Sequence, residues 1–464
     1  MPTTLTNTGM IRSLSEKALY VCVFFIPFTG VKGFAFFGEL KGEAHIYSLF
    51  LFVFLGAISL AKSNSKFLID RYFVFVFLFA TWAMLVFFLD LSDIASRSNF
   101  KGDSPEGRFF TQFLVLFVYS LFSYFLYFLV KNKGAQGVYN VVESAVFLSF
   151  LVCSVYCVIE MPYVVGYDFT KPFLDWYGAI FRSEEHFDYL RRMRSVSFEA
   201  PSFGMFLPIV FGFVIFSKRY SVFVKSVFVF WILSLVYFSS SRSALVLIFL
   251  EVSFFLFVSF FSYNAQGKIL ASSIITFSLI LLLCVDALVG SPVFDFVYSK
   301  ALSVSINTDD EYHLASNLGR WGSQVAAIQI MLDNFWWGVG LGQSGFMLPS
   351  YYPDWAFLSF QVRNWSNPSD PLWPPVFSLY TRIGSELGVI GLLVFLYFNL
   401  KLLFELLSLY LRKKDEGEKR LAFSVALLFF VALFSFAQFG SFRFVFYWIM
   451  LALSVGTVRE LRRS

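Results

Sequence analysis

The chain has 464 residues, of which 58% are hydrophobic and 14% are charged, and it contains 66 phenylalanines. A single soluble core could not bury that much apolar surface, and the apolar residues come in long runs, so the composition predicts an all-α, polytopic membrane protein. The formal net charge of +5 is modest for this length and is attributed to the loops, so nucleic acid is not expected as a partner.

About twelve apolar runs are long enough to cross the hydrocarbon core of a bilayer as helices. The chain up to residue 17 is short, polar and basic, and the first run continues without a small-residue cleavage site, which predicts an uncleaved anchor. With the N-terminus in the cytoplasm, the basic residues of the short loops also fall on the cytoplasmic side. We therefore expect a single membrane domain over residues 1–464 with both termini in the cytoplasm. The runs cover roughly residues 18–38, 44–61, 72–90, 109–130, 138–160, 203–217, 221–238, 243–262, 269–288, 376–400, 421–438 and 441–458.

Two connections on the outer face, residues 162–201 and 290–375, are longer than a turn requires. Long loops in compact proteins are usually functional, so the chemistry is expected to face outward. We expect both loops to be partly helical, with a docked helix in the larger one. The sequence has no P-loop and no GxGxxG unit, so use of ATP or a nucleotide sugar is not indicated.

Cysteine and histidine usage does not resemble a zinc or redox signature. The cysteines all fall in apolar runs, where they are expected to pack as small hydrophobic side chains. Neither a metal nor another cofactor is therefore expected. The four residues are Cys22, Cys153, Cys157 and Cys284.

The stretch Leu318–Gly342, LGRWGSQVAAIQIMLDNFWWGVGLG, begins near an arginine and ends in a glycine-rich turn. Its apolar residues recur at helical spacing, which predicts a helix docked through one stripe. Arg320 is expected at the N-terminal end of this helix, where free N–H groups and the helix dipole favour an anion. The predicted stripe consists of Trp321, Val325, Ile328 and Leu332.

Arginines occur on the outer side, where the positive-inside bias disfavours them. An arginine within a membrane helix costs on the order of 2.5–3.5 kcal/mol on insertion scales, so several together imply a compensating anion. Guanidinium forks match phosphate oxygens, so a lipid-linked pyrophosphate is the predicted ligand. Alternatively, each arginine reaches the lipid headgroups or pairs internally, as Arg382 could with Glu386 one turn later. Beside the basic cluster Arg191, Arg192 and Arg194, the candidates are Arg242, Arg320, Arg382 and Arg443.

Glu199 lies five residues after Arg194, beside a Pro-Ser pair that begins a predicted helix. Its carboxylate could activate an acceptor hydroxyl as a base, or only hold Arg194 in place. The acidic run that ends at His313 is either a solvated patch or a hydroxyl-binding site with that histidine as a base. The run consists of Asp309, Asp310, Glu311 and His313.

The larger outer loop is rich in tryptophan and tyrosine. Such rings can stack on sugar faces, but they are also typical of the belts at membrane interfaces. Trp336 and Trp337, beside the glycine turn, and Tyr380 are the candidates for glycan binding.

The motifs of this chain, in their order, resemble the bacterial O-antigen polymerase (Wzy-type) and O-antigen ligase superfamily. An outer loop ends in R-x4-E-A-P-S-x-x-G at residues 194–204, and S-S-R-S follows at the start of a span. N-L-G-R-W and D-N-F-W-W-G-V-G-L-G then occupy residues 317–342, and E-L-G-V-I-G-L-L begins at Glu386. The resemblance covers residues 191–395.

The resemblance implies a multi-pass protein of the bacterial inner membrane that works without a metal or a nucleotide. Such a glycosyltransferase acts on undecaprenyl-pyrophosphate-linked glycans at the periplasmic face, and a polysaccharide chain-length regulator is an expected partner. The motif arginines of the superfamily, which are thought to bind the pyrophosphate, correspond to Arg194, Arg242 and Arg320. We take Glu199, Arg194 and Arg320 as the candidate catalytic residues.

This chain departs from the ligase branch at two positions. Ligases have a His-Asn pair shortly before the E-x-G of the following span, where this chain has Phe377-Ser378. They also tend to have Asn-Pro-Asn where this chain has residues 199–202, EAPS. The polymerase branch therefore fits better, and the missing histidine leaves Glu199 as the first choice of base, with His313 or Tyr380 second.

Two other functions remain as alternatives. A ligase would use the same chemistry with a different acceptor. A flippase for lipid-linked oligosaccharides would also have many spans and intramembrane arginines, but its charges should line a cavity that reaches both faces. The unusual charges here gather near the outer face, which favours an enzyme.

Overall fold

The computed structural model describes residues 7–34, 40–62, 70–182, 191–261 and 311–463. Within these ranges the chain is helical, with isolated β-bridges as its only extended pairing. The first ten helices are α1 Asn7–Phe24, α2 His45–Lys62, α3 Arg71–Leu89, α4 Leu91–Ser96, α5 Pro105–Lys133, α6 Ala135–Val164, α7 Lys171–Phe181, α8 Ala200–Phe216, α9 Val222–Ser239 and α10 Arg242–Phe261. The remaining helices are α11 Glu311–Asp333, α12 Ser344–Tyr351, α13 Phe360–Ser366, α14 Leu379–Arg412, α15 Glu416–Ser435 and α16 Val445–Leu461.

Among the described residues, 7 helices are long and apolar enough to cross a membrane, namely α2, α3, α5, α6, α9, α10 and α14. Helix α8 is also apolar but shorter, with 17 residues. These helices support the predicted class, an all-α protein that passes the membrane several times. The number of about twelve spans and the position of the termini stay predictions, and the run at 269–288 lies outside the described residues.

The first predicted run, residues 18–38, is placed too late in the chain. Helix α1 starts at Asn7 and ends at Phe24, and Pro27 follows its last turn. Proline cannot continue a helix without losing a hydrogen bond, so the chain turns there and Thr29 forms a bridge with Glu43. The apolar composition of residues 25–34 therefore reflects a packed turn and not a helix.

Helix α16 lies at the centre of the helical bundle. Its side chains are buried in an unbroken series from Val445 to Val458, and it packs against α5, α14 and α15. A helix that is surrounded by neighbours has no polar face, which explains why its sequence lacks the periodicity of a surface helix. Phenylalanine pairs fill the space between the other helices, for example Phe87 and Phe109, whose ring centroids are 3.9 Å apart.

Helix α14 is broken at Gly388, where φ is 68° and ψ is −176°. The backbone groups that this break releases are bonded by the glycine-rich turn after α11 and by one tryptophan. Val339 N donates to Ser385 O at 3.0 Å, Gly340 N to Glu386 O at 2.9 Å, Trp82 Nε1 to Leu387 O at 3.0 Å, and Val389 N to Phe335 O at 2.8 Å. The motifs around Gly340 and Gly388 are therefore two sides of one junction, in which buried backbone groups are satisfied.

Helix α11 corrects the expectation for Leu318–Gly342. The helix begins at Glu311, so Arg320 lies in its interior and not at an N-terminus that could hold an anion. The predicted stripe is also not the docked face, since Trp321 is 47% exposed and Leu332 is 53% exposed. Small residues on the opposite face, Ala326 and Ala327, pack in a second core with α12 and α13. Spacing alone did not show which of the two apolar faces meets the protein.

Candidate functional site

A cavity of about 450 Å³ lies where the end of α6, the start of α8, the α9–α10 junction and α11 meet. This volume lies within the range of small-molecule sites, about 300–1,000 Å³. Six basic residues and three carboxylates line it, which leaves an excess of positive charge. The basic residues are Lys171, Arg191, Arg192, Arg194, Arg242 and Arg320, and the acidic ones are Glu160, Asp175 and Glu199.

Arg242 is bonded to Asn317 of α11, the helix that also carries Arg320. Ser241 precedes α10 and its hydroxyl accepts the N–H of Ala244 at 3.3 Å, so α10 begins at Arg242. The Arg242 guanidinium donates to Asn317 Oδ1 at 2.9 Å, and Asn317 lies one turn before Arg320 on α11. Arg320 in turn lies over the ring of Phe377, 5.3 Å from its centroid. Helix starts and a buried amide thus place two of the predicted arginines on one wall of the cavity.

The segment of residues 191–199 forms another wall and has almost no regular secondary structure. Individual hydrogen bonds hold it, among them Met193 N to Phe238 O at 3.1 Å and Ser197 Oγ to Pro27 O at 2.6 Å. Arg191 and Ser195 have positive φ angles of 43° and 54°. Such angles are unfavourable for residues other than glycine, so the surrounding bonds must impose this path.

Glu199 is the last residue of this segment and the N-cap of α8. Its side chain makes no capping hydrogen bond and is exposed at the cavity, as the predicted base requires. Helix α8 packs closely against the start of α10, because a Cβ at Gly204 would lie 2.2 Å from Ser241 Oγ. The structure therefore brings Arg194, Glu199, Arg242 and Arg320 to a single cavity.

Arg182 is a buried cation behind this cavity that the sequence did not indicate. It is 4% exposed and its Nη2 donates to Ser195 O at 2.9 Å. Burial lowers the pKa of the Arg182 guanidinium, and the nearby positive charge of Arg194 lowers it further. The guanidinium still remains charged at neutral pH, since an arginine pKa starts so high. It therefore adds to the positive field of the cavity.

Sequence reasoning also missed Lys171, Asp175 and Glu160 among the lining residues. Glu160 gave the clearest signal, because a carboxylate within an apolar run is a candidate functional residue by default. Most of the aromatic lining was missed as well, since it comes from separate elements. Trp365 belongs to the aromatic outer loop considered for glycan binding, whereas Tyr156, Tyr163, Phe198 and Phe377 were not considered.

Arg382 does not line this cavity. Its Nε donates to Glu386 Oε1 at 3.1 Å, and its other nitrogens donate to Gln112 Oε1 at 2.8 Å and to Gly440 O at 2.9 Å. Ser344 Oγ also donates to Glu386 at 2.7 Å. Internal pairing, the alternative considered for this arginine, is the geometry observed.

Arg443 does not line the cavity either, and it lies in the turn before α16 and not within a helix. Its Nε donates to Ser441 Oγ at 3.1 Å. Burial raises the pKa of Glu43, and the charge of Arg443 opposes this rise, which places the two groups within electrostatic reach. A role of Arg382 or Arg443 in pyrophosphate binding stays a prediction.

The predicted glycan-binding aromatics lie away from the cavity. Trp336 and Trp337 are 58% and 46% exposed, and the Trp337 ring is 6.0 Å from that of Trp82. Tyr380 donates its hydroxyl to Leu433 O at 2.7 Å. Their roles stay predictions, and the positions of Asp309, Asp310 and the His313 side chain lie outside the described part of the chain.

Among the described residues, no group of three or more histidine, cysteine or acidic side chains could hold a metal ion. Cys22, Cys153 and Cys157 are buried and free. The position of Cys284 lies outside the described residues.

A family model described as O-Antigen ligase matches residues 227–396 of this chain. No curated protein matches the chain. The matched range includes Arg242, Arg320 and Arg382 and begins after Arg194 and Glu199. The match supports membership of the O-antigen polymerase and ligase superfamily, in agreement with the order of the motifs. It suggests a glycosyltransferase-like function of the polymerase or ligase type, on lipid-linked polysaccharide in a membrane.

Proposed function

We propose that the chain is an O-antigen or similar surface polysaccharide polymerase of the bacterial inner membrane. In this proposal it joins undecaprenyl-pyrophosphate-linked oligosaccharide repeat units by glycosyl transfer at the periplasmic face. The observation that carries the proposal is the cavity to which separate parts of the chain contribute positive charge. Arginines at residues 191–194, 242 and 320 line it, and Arg182 lies behind it. A diphosphate is the ligand whose charge and oxygen geometry fit such a set.

In the proposed reaction, a hydroxyl of the incoming repeat unit attacks the anomeric carbon of the growing glycan. The new carbon–oxygen bond forms as the bond from the anomeric carbon to the diphosphate oxygen breaks, and undecaprenyl pyrophosphate leaves with the electron pair. Arg194, Arg242 and Arg320 would stabilise the charge that develops on this leaving group. A well-placed donor in other enzymes contributes about 3–4 kcal/mol to such stabilisation.

The acceptor hydroxyl must also lose its proton. We propose Glu199 as the base, because its carboxylate is exposed at the cavity on the rigid start of α8. Tyr380 is a weaker candidate, since its hydroxyl is already bonded to the backbone of α15.

The proposal is tested by measuring glycan ladders from purified protein with lipid-linked repeat units as the sole substrate. Arg194→Ala, Arg242→Ala and Arg320→Ala should each reduce chain lengthening by about a hundredfold, the cost of removing one charge-stabilising donor. Arg412→Ala is the control, because Arg412 is exposed at the far end of α14. Normal ladders from Arg194→Ala or Arg320→Ala would refute the assignment.

A ligase is the second candidate, and the description of the matching family model favours it. The same assay separates the functions. Ladders from repeat units alone support a polymerase, whereas transfer that begins only when a different acceptor is supplied supports a ligase. Movement of the lipid between leaflets without new glycosidic bonds would support a flippase.

A further inference from the structure

Glu160 lies near the end of α6, where it lines the cavity while its side chain is almost completely enclosed. It is 4% exposed. Burying a carboxylate is costly unless hydrogen bonds and opposite charges compensate. The hydrogen bonds and charges around the Glu160 carboxylate therefore indicate its role.

The Glu160 carboxylate accepts hydrogen bonds from two consecutive backbone amides of the segment that carries Arg194. Ser195 N lies 2.8 Å from Oε2, and Arg194 N lies 3.3 Å from each oxygen. The carboxylate of Glu160, on α6, thus binds the backbone of the arginine that we place in the pyrophosphate site.

These amides belong to a turn that would not form readily without support. Ser195 has a φ of 54°, which costs on the order of 1–3 kcal/mol for a residue with a side chain. Its other polar groups are bonded as well, with Ser195 Oγ donating to Cys153 O at 3.0 Å and Arg182 donating to Ser195 O at 2.9 Å. Of these partners, Glu160 is the one that binds two amides and that interacts electrostatically with both Arg182 and Arg194.

We infer that Glu160 is a positioning residue for the pyrophosphate site, whose carboxylate fixes the turn at residues 194–195 so that Arg194 is presented to the cavity. The inference deepens the proposed function and rests on it for the identity of the ligand. Glu160 itself takes no part in bond making. It acts through Arg194.

The test substitutes Glu160→Gln, which keeps the shape of the side chain but places an amide NH₂ against a backbone N–H. The probe is farnesyl pyrophosphate, and its affinity is measured on the purified full-length protein. We expect the Kd to rise about tenfold in Glu160→Gln. In an Arg194→Ala background the same substitution should change the Kd by less than about twofold, because residues that act through one another are not additive.

Hydrogen–deuterium exchange of peptides covering residues 191–199 provides a readout that does not depend on the ligand. Glu160→Gln should accelerate exchange there, because the neutral amide offers the two backbone N–H groups one acceptor oxygen in place of the two charged ones of the carboxylate. Glu143→Gln is the matched control, because Glu143 lies on the same helix, is also 4% exposed and has Arg219 3.6 Å away, but does not line this cavity.

The outcomes separate this inference from the proposed function. Unchanged exchange in Glu160→Gln, or an equal loss of affinity with and without Arg194, overturns the positioning role even if the protein forms ladders. Faster exchange in a protein whose wild type binds no prenyl pyrophosphate overturns the proposed function, and with it the assignment of this turn to a pyrophosphate. Faster exchange with a loss of affinity that requires Arg194 supports both.

Discussion

Replacement of Gly388 by alanine tests the junction between α11 and α14. Gly388 has a φ of 68°, and a Cβ built there would lie 2.2 Å from Trp336 O and 2.6 Å from Trp337 N. Both neighbours are backbone atoms, so they cannot move aside as a flexible side chain would. The substitution must therefore displace the turn after α11.

The size of the effect follows from what this turn holds. The backbone conformation alone costs on the order of 1–3 kcal/mol for a residue with a side chain. A displaced turn also weakens the bonds from Val339 N to Ser385 O and from Gly340 N to Glu386 O, each worth about 1 kcal/mol. We therefore expect a loss of about 3–5 kcal/mol in the free energy of unfolding.

Thermal unfolding of the detergent-purified protein measures this loss as a decrease in Tm. The matched control is Gly178→Ala on α7, where an added Cβ would meet no atom within 4 Å. Alanine also has the higher helix propensity, so this control should leave Tm unchanged or raise it slightly. If Gly388→Ala unfolded at the wild-type temperature, the junction between α11 and α14 would not stabilise α11 as we infer.

Three further outcomes are expected. Arg382→Met should lower the free energy of unfolding by about 3–5 kcal/mol, because it leaves Glu386, whose side chain is 2% exposed, without its cation. The double variant Arg382→Met/Glu386→Met should recover stability. A failure to recover would argue that Arg382 has a role beyond this ion pair. Gly204→Ala should reduce chain lengthening because its Cβ would lie 2.2 Å from Ser241 Oγ at the start of α10, and adding Ser241→Gly should restore part of the rate. Treatment with EDTA should leave chain lengthening unchanged if the arginines stabilise the leaving group, whereas inhibition that added magnesium reverses would contradict that mechanism.

The sequence determined the class of the protein and several local features. Long apolar runs specify helices that can cross a membrane, because a backbone in lipid must satisfy its hydrogen bonds within the helix. Local signals also located helix starts, as at Arg242 after its serines and at Ala200 beside Pro201. These features depend on neighbours within one or two turns, so the sequence contains them directly.

Periodicity was less informative where a helix has two apolar faces. In α11 the residues Trp321 and Leu332 follow the helical repeat, but the smaller Ala326 and Ala327 form the packed face. Small residues allow a neighbouring helix to pack closely. Whether a neighbour packs there depends on the tertiary structure and cannot be read from the spacing. The start of α11 at Glu311 was missed because its first turns are polar and show no apolar repeat.

Only the tertiary structure decided which charges meet. Arg382 was considered for the pyrophosphate or for Glu386 one turn later, and it bonds Glu386 together with Gln112, which is 270 positions away in the chain. Glu160 and Arg182 were not candidates, yet both bind the turn of Ser195. Composition and spacing report what each segment can form by itself. A site made from the ends of several helices depends on how those helices pack, and that information lies in contacts between residues far apart in the sequence.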